Sequence, residues 1–289
     1  MSLPQAAAPT ATPTPPKAIL PPGACDTHVH MLGSEFALSP TRAEEPAEGT
    51  LEEWAQRLER HLEVHGLDRV VIVHTILYGA DNAVTLAAIK RMGDRARGIA
   101  LVRDDVSDAQ LDALHAAGVR GVRLNFIHGG ILTWEGAKAM APRLAERGMH
   151  IQMLMNTHLH MVDLAPDVRA LPLPIVFDHN GWPDVAAGVA EPGFEVLRQL
   201  VADGAAHVKL SGLNRVCDAP FDAVAGHVEA LARANPQACV WASDWPHIML
   251  GTAQNPDTGV MLNAFLDVVT SEADRKTILT DVPERLYGF

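Results

Sequence analysis

The sequence predicts an α/β protein that folds as a single (β/α)8 TIM-like barrel. Eight short apolar or β-branched runs recur along the 289 residues. They do not alternate apolar with polar residues, a pattern typical of parallel strands that are buried on both faces. Segments with helical periodicity lie between them, and no change in composition marks a linker. Eight strands that alternate with helices in one continuous unit indicate a barrel.

The predicted strands are the apolar runs, of which ACDTHVH is the first and CVWASD the last. They cover residues 24–30, 69–74, 98–102, 121–126, 150–155, 174–179, 207–212 and 239–244. An open doubly wound sheet is the alternative arrangement of the same elements. The sequence contains neither GxGxxG nor GxxxxGKS/T, so it lacks the phosphate-binding motifs that would support a nucleotide-binding sheet of that kind.

Helical segments lie between these strands. In TLEEWAQRLERHLEVHG, Thr50 is a candidate N-cap, Gly66 ends the segment, and apolar residues recur at helical spacing. SDAQLDALHAAG begins with Ser107 and ends at Gly118 in the same way. We also predict helices for WEGAKAMAPRLAERG, GFEVLRQLVADG, FDAVAGHVEALARAN and EADRKTILTDV.

The N-terminal 21 residues are rich in Pro and Ala, and we expect them to form a disordered, partly polyproline tail. They have neither a basic start nor a continuous apolar stretch, so they do not read as a secretory signal. The barrel is predicted for residues 22–289.

Composition limits the partners and the compartment. The net charge of −12 disfavours nucleic acid and anionic membrane surfaces, which select basic proteins. No apolar run approaches the ~18 residues that span a bilayer. Cys25, Cys217 and Cys239 have no CxxC spacing, which is typical of a reducing cytoplasm. A homo-oligomer is compatible with the sequence, although no interface signal is visible.

Titratable side chains collect at the ends of the predicted strands. His28 and His30 end the first strand, His179 the sixth and Asp244 the eighth, and Arg123 lies near the end of the fourth. Residues two apart on a strand point to the same side, so the two histidines of the HxH can converge. A purely structural role would suffice for one buried histidine. The set as a whole favours an active site, because barrel enzymes place catalytic groups at these strand ends.

Two of these strand ends leave a choice open. In FDHNGWPD, alternation of faces turns either Asp178 or His179 inward. In WASDWPHIM, Asp244 lies next to Trp245, and we expect partial desolvation to raise the pKa of its carboxyl into the range of a general base. The alternative for Asp244 is a helix-capping role before Pro246.

Other polar residues have weaker signals. Arg123 and Arg215 could hold a substrate carboxylate with paired hydrogen bonds. We expect Lys209, in the middle of a strand, to be buried structure. His158 and His160 form a second HxH, which we interpret as part of a solvated loop.

The chain resembles the amidohydrolase superfamily in the segments PPGACDTHVH, VIVHTILYGADNAVTLAAI, RGIALV, GVRGVRLNF, LPLPIVFDHNGWPDV, WASDWPH and VPERLYGF. The branch it is most similar to comprises the 2-pyrone-4,6-dicarboxylate lactonases and related sugar-lactone hydrolases and isomerases. The resemblance extends from about Pro21 to the C-terminus. It implies a barrel enzyme that opens a lactone.

By position, the resemblance implies that three histidines polarise the lactone carbonyl and that an aspartate takes a proton from the attacking water. These catalytic residues are His28, His30, His179 and Asp244. The implied substrate-binding residues are Arg123, Arg215, Trp182, Tyr78 and Asn125.

The chain also departs from the dicarboxylate lactonases. Gly129 and Trp182 stand where those enzymes carry further arginines, and Leu154 stands at a tyrosine position. Fewer guanidinium groups leave less capacity to hold a second carboxylate. We therefore expect a lactone with one carboxylate.

For a cofactor, the resemblance implies none, or one weakly bound divalent metal such as zinc. Its ligands would be His28, His30, His179 and Asp244, since zinc binds N and O donors and keeps one position for water. Three alternatives stay open: a metal-dependent decarboxylase of the same superfamily, a lactone isomerase, and a binding protein that has lost turnover.

Overall fold

The computed structural model describes residues 3–127, 130–250 and 255–289, and in these ranges eight parallel strands form one sheet with the order β1 to β8. Every predicted strand is present, and each overlaps its predicted range. The bounds are Cys25–Val29 (β1), Arg69–Val73 (β2), Ala96–Ala100 (β3), Val119–Asn125 (β4), His150–Leu154 (β5), Ile175–Phe177 (β6), His207–Leu210 (β7) and Cys239–Trp241 (β8).

The first and last strands meet, which gives the sheet its barrel form. The Asp244 amide donates to the His28 carbonyl at 2.9 Å, and the His30 amide donates to the Trp245 carbonyl at 2.7 Å. Val29 and Trp245 form a parallel bridge. The predicted (β/α)8 barrel is confirmed, and the closure brings the ends of β1 and β8 together.

Ten α-helices lie in the described part of the chain, and they surround the sheet. Their bounds are Leu51–His65 (α1), Ala83–Met92 (α2), Asp108–Ala116 (α3), Trp134–Ala145 (α4), Val162–Ala170 (α5), Pro192–Ala202 (α6), Asp222–Ala234 (α7), Thr258–Val268 (α8), Glu272–Lys276 (α9) and Val282–Tyr287 (α10). Two π-helical turns, Thr157–Met161 and Thr277–Asp281, precede α5 and α10.

The start and end of α1 are determined by local chemistry. The Thr50 side chain accepts from the Glu53 amide and the Glu53 carboxylate accepts from the Thr50 amide, which forms a capping box. Gly66 ends the helix with φ 67°, a left-handed conformation that suits glycine. The apolar face of α1, which includes Trp54, Leu58 and Leu62, is fully buried against the barrel.

The N-terminal segment contains neither helix nor a strand of its own between residues 3 and 21. Gln5 forms an isolated bridge with Glu45, and the Thr14 hydroxyl donates to the Asp257 carboxylate at 2.7 Å. In the described ranges, none of the helices is both long and apolar enough to cross a membrane.

Candidate active site

Three imidazole rings surround one carboxylate at the carboxyl end of the barrel. Oδ1 of Asp244 lies 3.5 Å from Nε2 of His30, 3.7 Å from Nε2 of His28 and 3.9 Å from Nε2 of His179. All four side chains are at most 5% exposed. The structure therefore brings together the four residues that the sequence analysis selected as catalytic.

The backbone at these strand ends departs from regular geometry. Asp244 has φ 65°, and His179 and Asn180 have φ 53° and 55°. Left-handed backbone at residues other than glycine is unfavourable and persists where the surroundings enforce it, most often at functional sites. Here the Asp244 amide bonds to β1, and the Asn180 side chain donates to the Ser211 carbonyl at 2.8 Å. These bonds hold both strand ends in the conformation that turns their side chains inward.

Each ring is oriented through its other nitrogen. Nδ1 of His28 lies 3.2 Å from Oδ1 of Asp178, and Nδ1 of His30 lies 2.8 Å from the Val73 carbonyl. Nδ1 of His179 lies 3.0 Å from the Ser211 hydroxyl. Because Nδ1 is engaged in every case, each Nε2 is presented to Asp244. Both residues of the Asp178–His179 pair therefore face the site: His179 is directed at Asp244, and Asp178 contacts the His28 ring.

The Asp244 carboxylate is held by an arginine. Nε and Nη2 of Arg215 donate to Oδ2 of Asp244 at 2.9 and 2.7 Å, and Nη2 also donates to the Ile248 carbonyl. Burial raises the pKa of Asp244, but the Arg215 guanidinium and the nearby histidines outweigh it and hold that pKa well below its ordinary value. The expected upward shift is wrong, because the sequence does not show that Arg215 lies beside this carboxyl.

We expect Arg215→Met to move the acid limb of the kcat/KM profile to higher pH. The ionised carboxylate is lost as pH falls through its pKa, and removal of the guanidinium raises that pKa. Arg215→Lys is the matched control, since it keeps the charge and should shift the limb less. The pH dependence of kcat/KM for the three proteins tests this, and identical limbs would contradict it.

The histidine–aspartate cluster has the composition of a metal site. One ligand atom from each of His28, His179 and Asp244 can be chosen so that all three lie within 4.8 Å of one another. Nε2 of His28 is buried and has no hydrogen-bond partner within the ranges that the structure describes. Burial lowers the pKa of both His28 and His179, which favours the neutral imidazole that binds metals. These residues therefore fit a divalent ion such as zinc.

A cavity lies directly above the cluster, and most of the predicted substrate-binding residues line it. Arg123 is 7% exposed and its Nη1 donates to the His74 carbonyl at 2.6 Å, while its buried Nε has no hydrogen-bond partner among the described residues. Other residues that line the cavity are Asn125, Leu154, Trp182, Arg215, Thr75, Ile76, Ile248 and Met249.

One predicted substrate-binding residue lies apart from this cavity. Tyr78 is not among its described lining residues, and its hydroxyl accepts from the Gly33 amide at 2.9 Å. Gly129 lies outside the described residues. The second HxH does not join the site either: His158 is exposed, and the His160 ring packs against Phe126 at 4.9 Å.

Sequence reasoning missed four lining residues, because apolar or hydroxyl side chains outside the strands do not by themselves indicate a binding site. These residues are Thr75, Ile76, Ile248 and Met249.

The parallel barrel, the HxH at the end of its first strand and the aspartate at the end of its last define a class of enzyme. The chain belongs to the amidohydrolase family, whose profile matches residues 25–289.

Among characterised relatives, the chain is 32% identical to the 4-sulfomuconolactone hydrolase of Rhizobium radiobacter, over 99% of this chain and 97% of that protein. It is 31% identical to the 2-pyrone-4,6-dicarboxylate hydrolase of Comamonas testosteroni, over 96% and 94%. Among solved structures, a putative 2-pyrone-4,6-dicarboxylic acid hydrolase from Pseudomonas putida superposes with a TM-score of 0.76 at 27% identity, over 92% of this chain and 97% of that one.

Proposed function

We propose that the protein hydrolyses a small lactone that bears a carboxylate. The observation that carries this proposal is the convergence of three imidazoles on Asp244, with the buried guanidinium of Arg123 in the same cavity. The names of the two hydrolase relatives support the substrate class, because both describe enzymes that act on cyclic esters with acidic groups.

In the proposed reaction Asp244 accepts a proton from water while the water oxygen bonds to the lactone carbonyl carbon. The carbonyl oxygen becomes an oxyanion and faces the histidine cluster, where a ring N–H donor stabilises it. When the carbonyl re-forms, the ring C–O bond breaks and the leaving alkoxide takes the proton from Asp244. The product is an open hydroxy acid, and Asp244 returns to its ionised state.

Arg123 is the proposed anchor for the substrate carboxylate. Its buried Nε has no partner in the described part of the chain, and a buried donor of this kind gains strongly from a charged acceptor. Arg215 was a second candidate for this role, but its guanidinium already holds Asp244 and the Ile248 carbonyl. Trp182 and Leu154 give the cavity an apolar wall. One arginine with an available Nε donor and an apolar wall favour a substrate with a single carboxylate.

We propose that the enzyme works without a metal or with one weakly bound divalent ion. His28, His30, His179 and Asp244 would hold such an ion. When bound, it would supply Lewis-acid polarisation of the carbonyl. The barrel residues around it would still orient the rings, exclude water and hold the substrate.

A cytoplasmic location and a barrel unit from residue 22 are part of the same proposal. Cys25 and Cys239 are buried as free thiols, which suits a reducing compartment. The net charge of −12 is unfavourable for binding nucleic acid or anionic lipid. The proposed partner is the small-molecule substrate, and a homo-oligomer is compatible with these features.

The test is acid release from a panel of lactones, with chelator-treated and zinc-supplemented enzyme in parallel. The panel contains muconolactone-type compounds, aldonolactones and 2-pyrone-4,6-dicarboxylate. We expect hydrolysis of a monocarboxylate lactone that largely survives chelation. Loss of activity on chelation, restored by zinc, would make the histidines obligatory metal ligands. Rearranged lactone without acid would favour an isomerase, and CO₂ release from a carboxylated substrate would favour a decarboxylase.

A further inference from the structure

A buried polar cluster lies behind His28, on the side of the ring that faces away from Asp244. It consists of Asp178, Lys209 and Gln152, whose side chains are at most 1% exposed. Oδ1 of Asp178 lies 3.2 Å from Nδ1 of His28, and Nε2 of Gln152 donates to Oδ2 of Asp178 at 3.1 Å. Buried polar groups of this kind require full hydrogen bonding, so the position of each proton can be worked out.

Lys209 determines the orientation of the Gln152 amide. Its ammonium can only donate, and Nζ lies 2.6 Å from Oε1 of Gln152 and 2.9 Å from the Thr27 carbonyl. Nζ also pairs with the buried carboxylate of Asp178, which favours the charged ammonium. The oxygen of the Gln152 amide is therefore directed to Lys209, and its NH₂ group is directed to Asp178.

The remaining proton of Lys209 has two acceptors within reach. Oδ1 of Asp178 lies 3.4 Å from Nζ, and Nδ1 of His28 lies 3.3 Å from it. If His28 carries its proton on Nδ1, that proton goes to Asp178 and the lysine proton also goes to Asp178, so the polar atoms on this side of the ring are all satisfied. If His28 carries its proton on Nε2, the Nδ1 lone pair faces the Asp178 carboxylate at 3.2 Å, which is repulsive.

We propose that Asp178, oriented by Lys209 through Gln152, is a positioning residue that holds His28 in the Nδ1–H tautomer. Nε2 of the neutral ring then carries a lone pair directed at the reaction site. His28 can take up a proton or bind a divalent ion at Nε2, but as a neutral ring it cannot donate a hydrogen bond to the lactone carbonyl.

This assignment divides the work among the three histidines. Nδ1 of His30 faces the Val73 carbonyl, which can only accept, so neutral His30 also has its lone pair on Nε2. His179 differs, because the Ser211 hydroxyl can donate to its Nδ1 and leave a proton on Nε2. His179 is therefore the ring of the cluster that can act as a neutral donor from Nε2. The catalytic meaning of this division rests on the proposed function, whereas the tautomer of His28 does not.

The test is long-range ¹H–¹⁵N NMR of metal-free protein labelled at histidine, recorded at neutral pH without substrate. The His28 signals are assigned by their absence in His28→Gln. We expect the wild type to show a protonated Nδ1 and an unprotonated Nε2. In Asp178→Asn the amide oxygen should face the NH₂ group of Gln152, so the new NH₂ donates to Nδ1 and the proton moves to Nε2.

Asp26→Asn is the matched control, since it removes another fully buried carboxylate close to His28 that bonds to the His61 ring and does not bond to the His28 ring. We expect this variant to lose stability but to keep the His28 tautomer. A wild-type ring protonated on Nε2, or on both nitrogens, would overturn the proposal, even if Asp178→Asn did not fold. An Nδ1–H tautomer that persisted in folded Asp178→Asn would also overturn it.

Kinetics provide a second measurement once a substrate is known. Asp178→Asn should lower kcat by about 10²–10⁴-fold with KM little changed, because an asparagine at the corresponding position of serine-protease triads also selects the wrong tautomer. A rise in KM with unchanged kcat would contradict a positioning role. The NMR result stands independently of turnover, so failure of the lactonase proposal and failure of the tautomer assignment are distinguishable.

Discussion

Asp244→Asn is expected to lower kcat by about 10²–10⁴-fold, the usual contribution of a general base. Asp244 is 1% exposed, and its Oδ1 lies within 4 Å of three imidazole nitrogens. Asparagine keeps the size of the side chain and can still meet Arg215 through its oxygen. It cannot accept the proton from water, so the loss should appear in kcat rather than in KM. Steady-state kinetics on the best lactone of the panel measure it.

The matched control is Asp203→Asn, which removes a surface carboxylate that pairs with Arg169 on the outside of the barrel. Its kcat should equal that of the wild type, because exposed ion pairs contribute little to stability and this one is not part of the site. If Asp244→Asn turned over at the wild-type rate, Asp244 would not be the base.

Arg123→Met is expected to raise KM by roughly 30-fold or more, with a smaller effect on kcat. Loss of one partner from a buried, hydrogen-bonded charge pair costs about 2 kcal/mol or more in binding. Methionine fills part of the volume of the side chain, and the His74 carbonyl loses its donor. The measurement is the KM of the wild type and of Arg123→Met for the unesterified substrate, whose carboxylate can bind the guanidinium.

Esterified substrate is the control for that prediction. If the guanidinium binds the carboxylate, the methyl ester should be turned over with similar KM by wild type and Arg123→Met. The variant should therefore lose the preference for the free acid. Equal KM values for the free acid in both proteins would show that Arg123 does not contact it, and the carboxylate would have to be held elsewhere in the cavity.

The sequence predicted the barrel and its strand ends well because those features depend on local pattern. Continuous apolar runs identified all eight strands. The rule that catalytic residues follow strands selected His28, His30, His179 and Asp244, which the structure brings together with each ring Nε2 within 4 Å of Oδ1 of Asp244. The N-cap role of Thr50 could also be predicted, because the capping box involves only Thr50 and Glu53, three residues apart.

The electrostatic state of the site could not be predicted, because it depends on contacts between distant parts of the chain. Arg215 and Asp244 are 29 residues apart, and Asp178 and His28 are 150 residues apart. A single sequence contains no pattern that would predict either of these two contacts. The sequence suggested an upward shift for the Asp244 pKa from its apolar neighbours alone, whereas the arginine reverses the sign.

The most direct test of the central claim is hydrolysis of the best lactone in H₂¹⁸O, followed by mass spectrometry of the product. Attack of water on the carbonyl carbon predicts one ¹⁸O atom in the new carboxylate after a single turnover and none in the released hydroxyl. A product without ¹⁸O would show that water is not the nucleophile, as in an isomerase. A label in the hydroxyl group would place the attack on the alkyl carbon and contradict the roles given to Asp244 and the histidines.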